Sequence, residues 1–168
     1  VPAYSLNVPV PADVSRLAAG LAAECRTAEP RERHTMVLKR LGEAADYRRL
    51  IGEARDLLAG TGPIPARAAG VETFEAPPSG RAPVAYLAVD SPGLLAVHER
   101  CCDIVDPFGE VLEGDEYVPH VTIARGGDAG RLAGRDAGPV DWEIDRIDVW
   151  DAYHETVVES VSLTGSSG

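Results

Sequence analysis

Pro119-His120-Val121-Thr122-Ile123-Ala124-Arg125 is the stretch on which the reading of this chain turns. Polar and apolar residues alternate as in a half-buried strand, so His120 and Thr122 share one face while Val121 and Ile123 point to the other. A weaker copy, Arg33-His34-Thr35-Met36-Val37-Leu38-Lys39-Arg40, lies upstream and also opens an apolar run with a histidine. The unperturbed pKa of histidine is close to neutrality, and two imidazoles facing one pocket can serve as base and acid in the same reaction. The chain has only four histidines, and two of them begin strands of this kind.

Outward from these stretches the element order repeats. Residues 4–8 read as a strand closed by Pro9 and Pro11. A helix over 12–25 carries Val14, Leu17, Leu21 and Cys25 at helical spacing and is barred from continuing by Pro30. The histidine strand 34–41 follows. A second helix over 46–59 shows the clearest periodicity, with Tyr47, Leu50, Ile51, Ala54 and Leu58 on one face and Gly60 beyond its end. A strand over 71–75 and a Pro-Pro-Ser-Gly turn lead to a strand over 83–89. Ser91-Pro92 then caps and opens a helix running to 105, and the second histidine strand covers 120–124. The glycine-rich stretch 126–139 reads as a surface loop, and residues 142–150 and 156–163 as a final hairpin. Strand, helix, histidine strand thus occurs over 3–42 and again over 83–125. This predicts an α+β fold of two duplicated units about a pseudo-twofold axis, with two antiparallel-rich sheets flanking a central cleft, in a single bilobal domain over 1–168.

The chain has 168 residues, and its 45% apolar content suffices for one core. No apolar run approaches the ~20 residues that span a bilayer, and the start lacks a basic segment followed by an apolar one, so a soluble cytoplasmic protein without membrane partners is expected. The three cysteines, Cys25, Cys101 and Cys102, lack the spacing of a zinc or redox motif and are expected as reduced thiols. Net charge is −11, with Lys39 the single lysine. That balance suits a high-salt cytoplasm, and a GC-rich genome explains the arginine bias equally well. A global acidic surface repels nucleic acid at long range. Against it, Arg31, Arg33, Lys39 and Arg40 outweigh Glu32 around His34, a local basic strip suited to one bound phosphate.

An imidazole beside a hydroxyl is what a phosphoryl group needs: Thr122 donates to a non-bridging oxygen and His120 serves the attacking or leaving oxygen. By simple alternation the neighbour of His34 is Met36, so the first half lacks that hydroxyl. Arg40 shares the His34 face, and Arg125 follows the second motif closely enough to reach a phosphate.

The two stretches resemble the paired His-x-Thr/Ser motifs of the two-histidine phosphoesterase superfamily, in its 2′-5′ RNA ligase and cyclic phosphodiesterase branch. The resemblance extends to the terminal segment Trp-Glu-Ile-Asp-Arg-Ile-Asp-Val-Trp at 142–150. It implies metal-independent, cofactor-free opening of a 2′,3′-cyclic phosphate at an RNA or nucleotide end, with 2′-5′ ligation as the reverse reaction in some members. Carried over by position, His34 and His120 are acid and base, Thr122 binds phosphate, and Met36 departs from the pattern. A monomer is expected. The alternative is a nucleotide- or RNA-end-binding module that kept the cleft and lost turnover. Elsewhere, His98 lies in line with Leu94, Cys101 and Val105 and reads as a packed histidine. Tyr153 and His154 read as exposed turn residues, Trp142 and Trp150 as seals of the hairpin, and the acidic segment 110–116 as a solvated loop without calcium-loop spacing.

Overall fold

The computed structural model describes residues 3–43, 47–78, 80–105 and 113–165. In chain order the elements are β1 (Ala3–Pro9), α1 (Ala12–Ala22), β2 (Glu29–Pro30), β3 (Thr35–Glu43), α2 (Tyr47–Leu58), β4 (Ile64–Phe74), β5 (Val84–Asp90), α3 (Pro92–Ile104), β6 (His120–Arg125), β7 (Val140–Ile144), β8 (Arg146–Asp151) and β9 (Thr156–Ser162). The expected α+β architecture is present. One sheet has the order β3-β1-β8-β9 and the other β2-β6-β5-β4-β7, with antiparallel neighbours throughout. Among the described residues no helix is long and apolar enough to cross a membrane.

The helices are exchanged between the sheets. α1 leaves β1 and packs on β6, whereas α3 leaves β5 and packs across β3 and β4, with α2 beside it. The faces they cover hold the core, including Leu6, Val8, Met36 and Leu38 from the first sheet and Val121 and Ile123 from the second. Local chemistry explains the entry to α3. The Ser91 hydroxyl accepts from the Leu94 amide at 3.3 Å and donates to the Pro65 carbonyl at 2.8 Å, and Pro92 needs no amide partner at the first helical position.

In both halves the first strand pairs directly with the histidine strand, and the registers superimpose. In the first half Pro9 pairs with Thr35, Asn7 with Val37, Leu6 with Lys39 and Ser5 with Arg40. In the second, Ala88 pairs with His120, Tyr86 with Thr122, Ala85 with Ala124 and Val84 with Arg125. Both ladders skip a residue at the equivalent place, Leu38 or Ile123, which is a β-bulge, and the first ladder skips Leu41 as well. A bulge reverses the phase of the side chains that follow it. That reversal carries Lys39 and Ala124 into the core and leaves Arg40 and Arg125 on the open face. The first bulge is held by groups from α3 and beyond: His98 Nδ1–H donates to the Leu38 carbonyl at 2.7 Å and Tyr117 Oη–H to the Val37 carbonyl at 2.8 Å, the two rings stacked at 3.9 Å.

Several expectations are corrected. β4 begins seven residues earlier than the predicted strand, because Pro65 sits near its start, where its missing amide is tolerated. The segment 142–150 is not one hairpin arm: β7 pairs with β4 in one sheet, and after Asp145 β8 joins β1 in the other. The stretch 126–139 is docked rather than a free surface loop, with Ala129 and Leu132 fully buried. Asp128 ties it down by accepting from the amides of Arg26, Thr27 and Ala28 at 2.8 to 2.9 Å. Gly127 has φ +49, and a Cβ there would lie 2.5 Å from Thr27 backbone, so the approach requires glycine. The predicted start of the second helix at Asp46, Ser79 of the Pro-Pro-Ser-Gly turn, and the acidic segment before residue 113 lie outside the described residues.

Candidate functional site

His120 opens β6 on the helix-free face. Its Nδ1 lies 2.6 Å from the Val118 carbonyl, which can only accept, so Nδ1 carries the proton and a neutral ring presents a bare Nε2. Phe74 and Tyr86 stack at 4.2 Å and each meets the imidazole edge-on at 5.3 Å. Burial pushes the His120 pKa below 6.5. The Val118 bond opposes the shift, while the charges of Arg125 and Arg40 add to it. Thr122 projects beside His120, half-buried, and its hydroxyl has no protein partner among the described residues.

His34 is held differently. It precedes β3, where the chain crosses from one sheet to the other: the Arg31 amide donates to the Ile123 carbonyl of β6 at 2.9 Å, and Thr35 already pairs with Pro9 of β1. One ring nitrogen bonds the Arg31 backbone, and Nε2 is buried without a partner. Burial lowers its pKa, and the Arg31 charge lowers it further. By register, Thr35 and Val37 occupy the positions of His120 and Thr122, and His34 falls one residue short of equivalence.

This overturns the alternation that set Met36 beside His34. Met36 pairs with Val8, is 0% exposed and belongs to the core; the half-buried residues of β3 are Thr35 and Val37. Lys39 leaves the basic strip too, since its ammonium is buried and paired with Glu113 at 2.6 Å. Arg40 is exposed on the helix-free face, placed there by the bulge.

A group of arginines lies near both histidines. Burial depresses the Arg125 pKa, and the charges of Arg31 and Arg40 depress it further. Arg31 in turn acts on His34, and Arg40 and Arg125 act on His120. Positive charge is therefore gathered near each imidazole, in a protein of net charge −11. Gly80 makes room for it, since a Cβ there would stand 2.7 Å from Arg125 Nη1. Such a cluster suits a phosphoryl group held by several cations.

The remaining histidines lie elsewhere. His98 is buried in the bulge contact, as its packed character suggested. His154 is exposed and bonded to Asp151 at 2.6 Å. Sequence reasoning placed Arg31 and Arg33 in the strip around His34 but missed Phe74 and Tyr86 as neighbours of His120, and the position of the Arg33 guanidinium over Trp150. Tyr86 could have been found, two residues along its strand from the partner of His120.

The sequence model of the 2′-5′ RNA ligase superfamily matches residues 8–155. No curated protein sequence matches significantly. Among solved structures, E. coli LigT complexed with NADP+ aligns with a TM-score of 0.71 at 16% identity, covering 97% of this chain and 98% of that one. LigT complexed with 3′-AMP gives 0.69 at 14% identity over 98% and 99%. TT0787 of Thermus thermophilus gives 0.67 at 18% identity, likewise over 98% and 99%. At such identities the structural likeness establishes the fold.

Proposed function

The chain belongs to the 2′-5′ RNA ligase superfamily, and from that premise we propose that its cleft opens 2′,3′-cyclic phosphates at RNA or nucleotide ends without a metal. The single observation supporting this reading is the arginine group near His34 and His120. Arg31, Arg40 and Arg125 neutralise the phosphate, and Thr122 donates to a non-bridging oxygen. One neutral histidine removes a proton from water as its oxygen attacks phosphorus. The P–O3′ bond breaks opposite, and the departing oxygen takes a proton from the other histidine, leaving a 2′-phosphomonoester. A 5′-hydroxyl attacking in place of water would give a 2′-5′ linkage through the same contacts. His120, with its tautomer fixed and Nε2 bare, suits the base; His34 is left as the acid.

Charge favours this assignment once substrate arrives. Arginines that depress both histidines in the empty cleft are countered by the phosphate, so a bound anion raises their affinity for protons and supports a protonated acid. A second reading, a binding module without turnover, is favoured by one observation: the register places Thr35 and Val37 where a second His-x-Thr would stand.

A short RNA with a 2′,3′-cyclic terminus, incubated with chelator at low and at molar salt, separates the two. Opening to a 2′-phosphate that is lost in both His34→Ala and His120→Ala supports the enzyme. Opening lost only in His120→Ala removes His34 from the chemistry. Binding without opening by the folded protein leaves the binding module.

A further inference from the structure

The two tryptophans occupy opposite environments. Trp142 packs on the core, but Trp150 does not belong to it. Trp150 pairs with Ser5, which on its other side pairs with Arg40, so arginine and indole flank one residue on the helix-free face. Register gives Trp150 a counterpart: Val84, equivalent to Ser5, has Phe74 as its second neighbour. Each sheet thus carries one aromatic ring at the same place beside the cleft. Phe74 spends its face on Tyr86 and its edge on His120. Trp150 instead carries the guanidinium of Arg33, 4.6 Å from its ring centroid. Arg33 is exposed and immediately precedes His34.

We infer that Trp150 is the platform on which a nucleobase stacks, and that Arg33 is the group the base displaces. This rests on the cleft holding the phosphate of the same nucleotide. A guanidinium over an indole marks a flat π surface open to planar cationic or aromatic partners. With neighbouring strands about 4.8 Å apart, the backbones at Arg40 and Trp150 stand roughly 10 Å apart, the scale of one nucleotide with its phosphate at one end and base at the other. Stacking of this kind tolerates any base, because each has a π face. The ligand class is therefore a ribonucleotide end read by shape and charge rather than by sequence. The displaced Arg33 becomes free to join the cations around the phosphate.

The test uses 2′-AMP, the product type of the proposed reaction, against inorganic phosphate. Titration should quench tryptophan fluorescence in the wild type and in Trp142→Phe with 2′-AMP and leave it unchanged with phosphate. By calorimetry, Trp150→Leu should bind 2′-AMP about tenfold more weakly, Trp150→Phe should recover most of the loss, and phosphate affinity should be the same in all three proteins. Equal 2′-AMP affinity in Trp150→Leu and wild type overturns the platform, as does a wild type that binds 2′-AMP no better than phosphate. Failure of the phosphate reading shows separately, as phosphate binding that is absent or indifferent to Arg40→Gln.

Discussion

The two histidine strands differ in what each ladder does with one residue. In β6 the order His120, Thr122, bulge, Arg125 places imidazole, hydroxyl and guanidinium on one face. β3 has the same pairing and the same bulge, but Thr35 and Val37 stand at the first two positions and only Arg40 matches. The geometry repeats where the chemistry does not: the bulge and its arginine occur in both halves, whereas the histidine lies off the ladder in one. The pair is therefore asymmetric, with one imidazole fixed by strand, carbonyl and aromatic rings and the other set by a crossing segment.

The largest effects are expected on removing each histidine. His120→Ala should lower turnover of a cyclic phosphate about 10³-fold or more, and His34→Ala about 10²-fold, within the range for general acid–base groups; equal losses measured in single-turnover assays would mean that the asymmetry has no chemical consequence. Restoring symmetry is the converse. Thr35→His with Val37→Thr, in a His34→Ala background, should recover about tenfold of the lost rate, whereas Met36→Thr should recover none and should destabilise the fold by about 2 kcal/mol or more, read by urea denaturation, because it buries a hydroxyl in the core.

A gentler probe is pH. Both histidine pKa values are lowered from 6.5, so a reaction needing one neutral and one protonated ring should give a kcat/KM bell centred below pH 6.5. Acid limits it when the base gains a proton, and rising pH limits it when the acid loses one. Arg40→Gln removes a positive charge from His120 and should move that limb upward; an unmoved limb would place Arg40 outside the site. The smallest effect concerns the bulge. His98→Phe keeps a ring against Tyr117 but loses the donor to the Leu38 carbonyl, which should cost about 1–3 kcal/mol of stability and raise KM more than it lowers kcat, through misplacement of Arg40.

The sequence made the local part of this molecule legible. Ser91-Pro92 marked a helix start because the cap acts within three residues, and the helical faces of α1 and α2 followed from spacing alone. Alternation failed where pairing is non-local. Counting by twos from His34 put Met36 in the cleft, because the count began one residue before the strand. The same count put Arg40 on the correct face for the wrong reason, since it ignored both the early start and the bulge at Leu38, and the two errors cancelled. Lys39 has no local signal of burial: its partner Glu113 is 74 residues away. The split of 140–151 between two sheets at Asp145 was equally hidden, because each strand's partner, β4 or β1, lies far back in the chain.

β1 lies between β3 and β8. Its first neighbour, Thr35–Glu43, is synthesised soon after it, but its second, Arg146–Asp151, follows only about 100 residues later. Until those residues are made the chain therefore holds an unpaired edge over Tyr4 to Asn7, the segment that β8 later covers. An open edge of this kind is a template for pairing with another chain. Slowing translation between the codons for Glu43 and Arg146 would lengthen that exposure, so the yield of soluble protein becomes a function of elongation speed as well as of the stability of the finished fold.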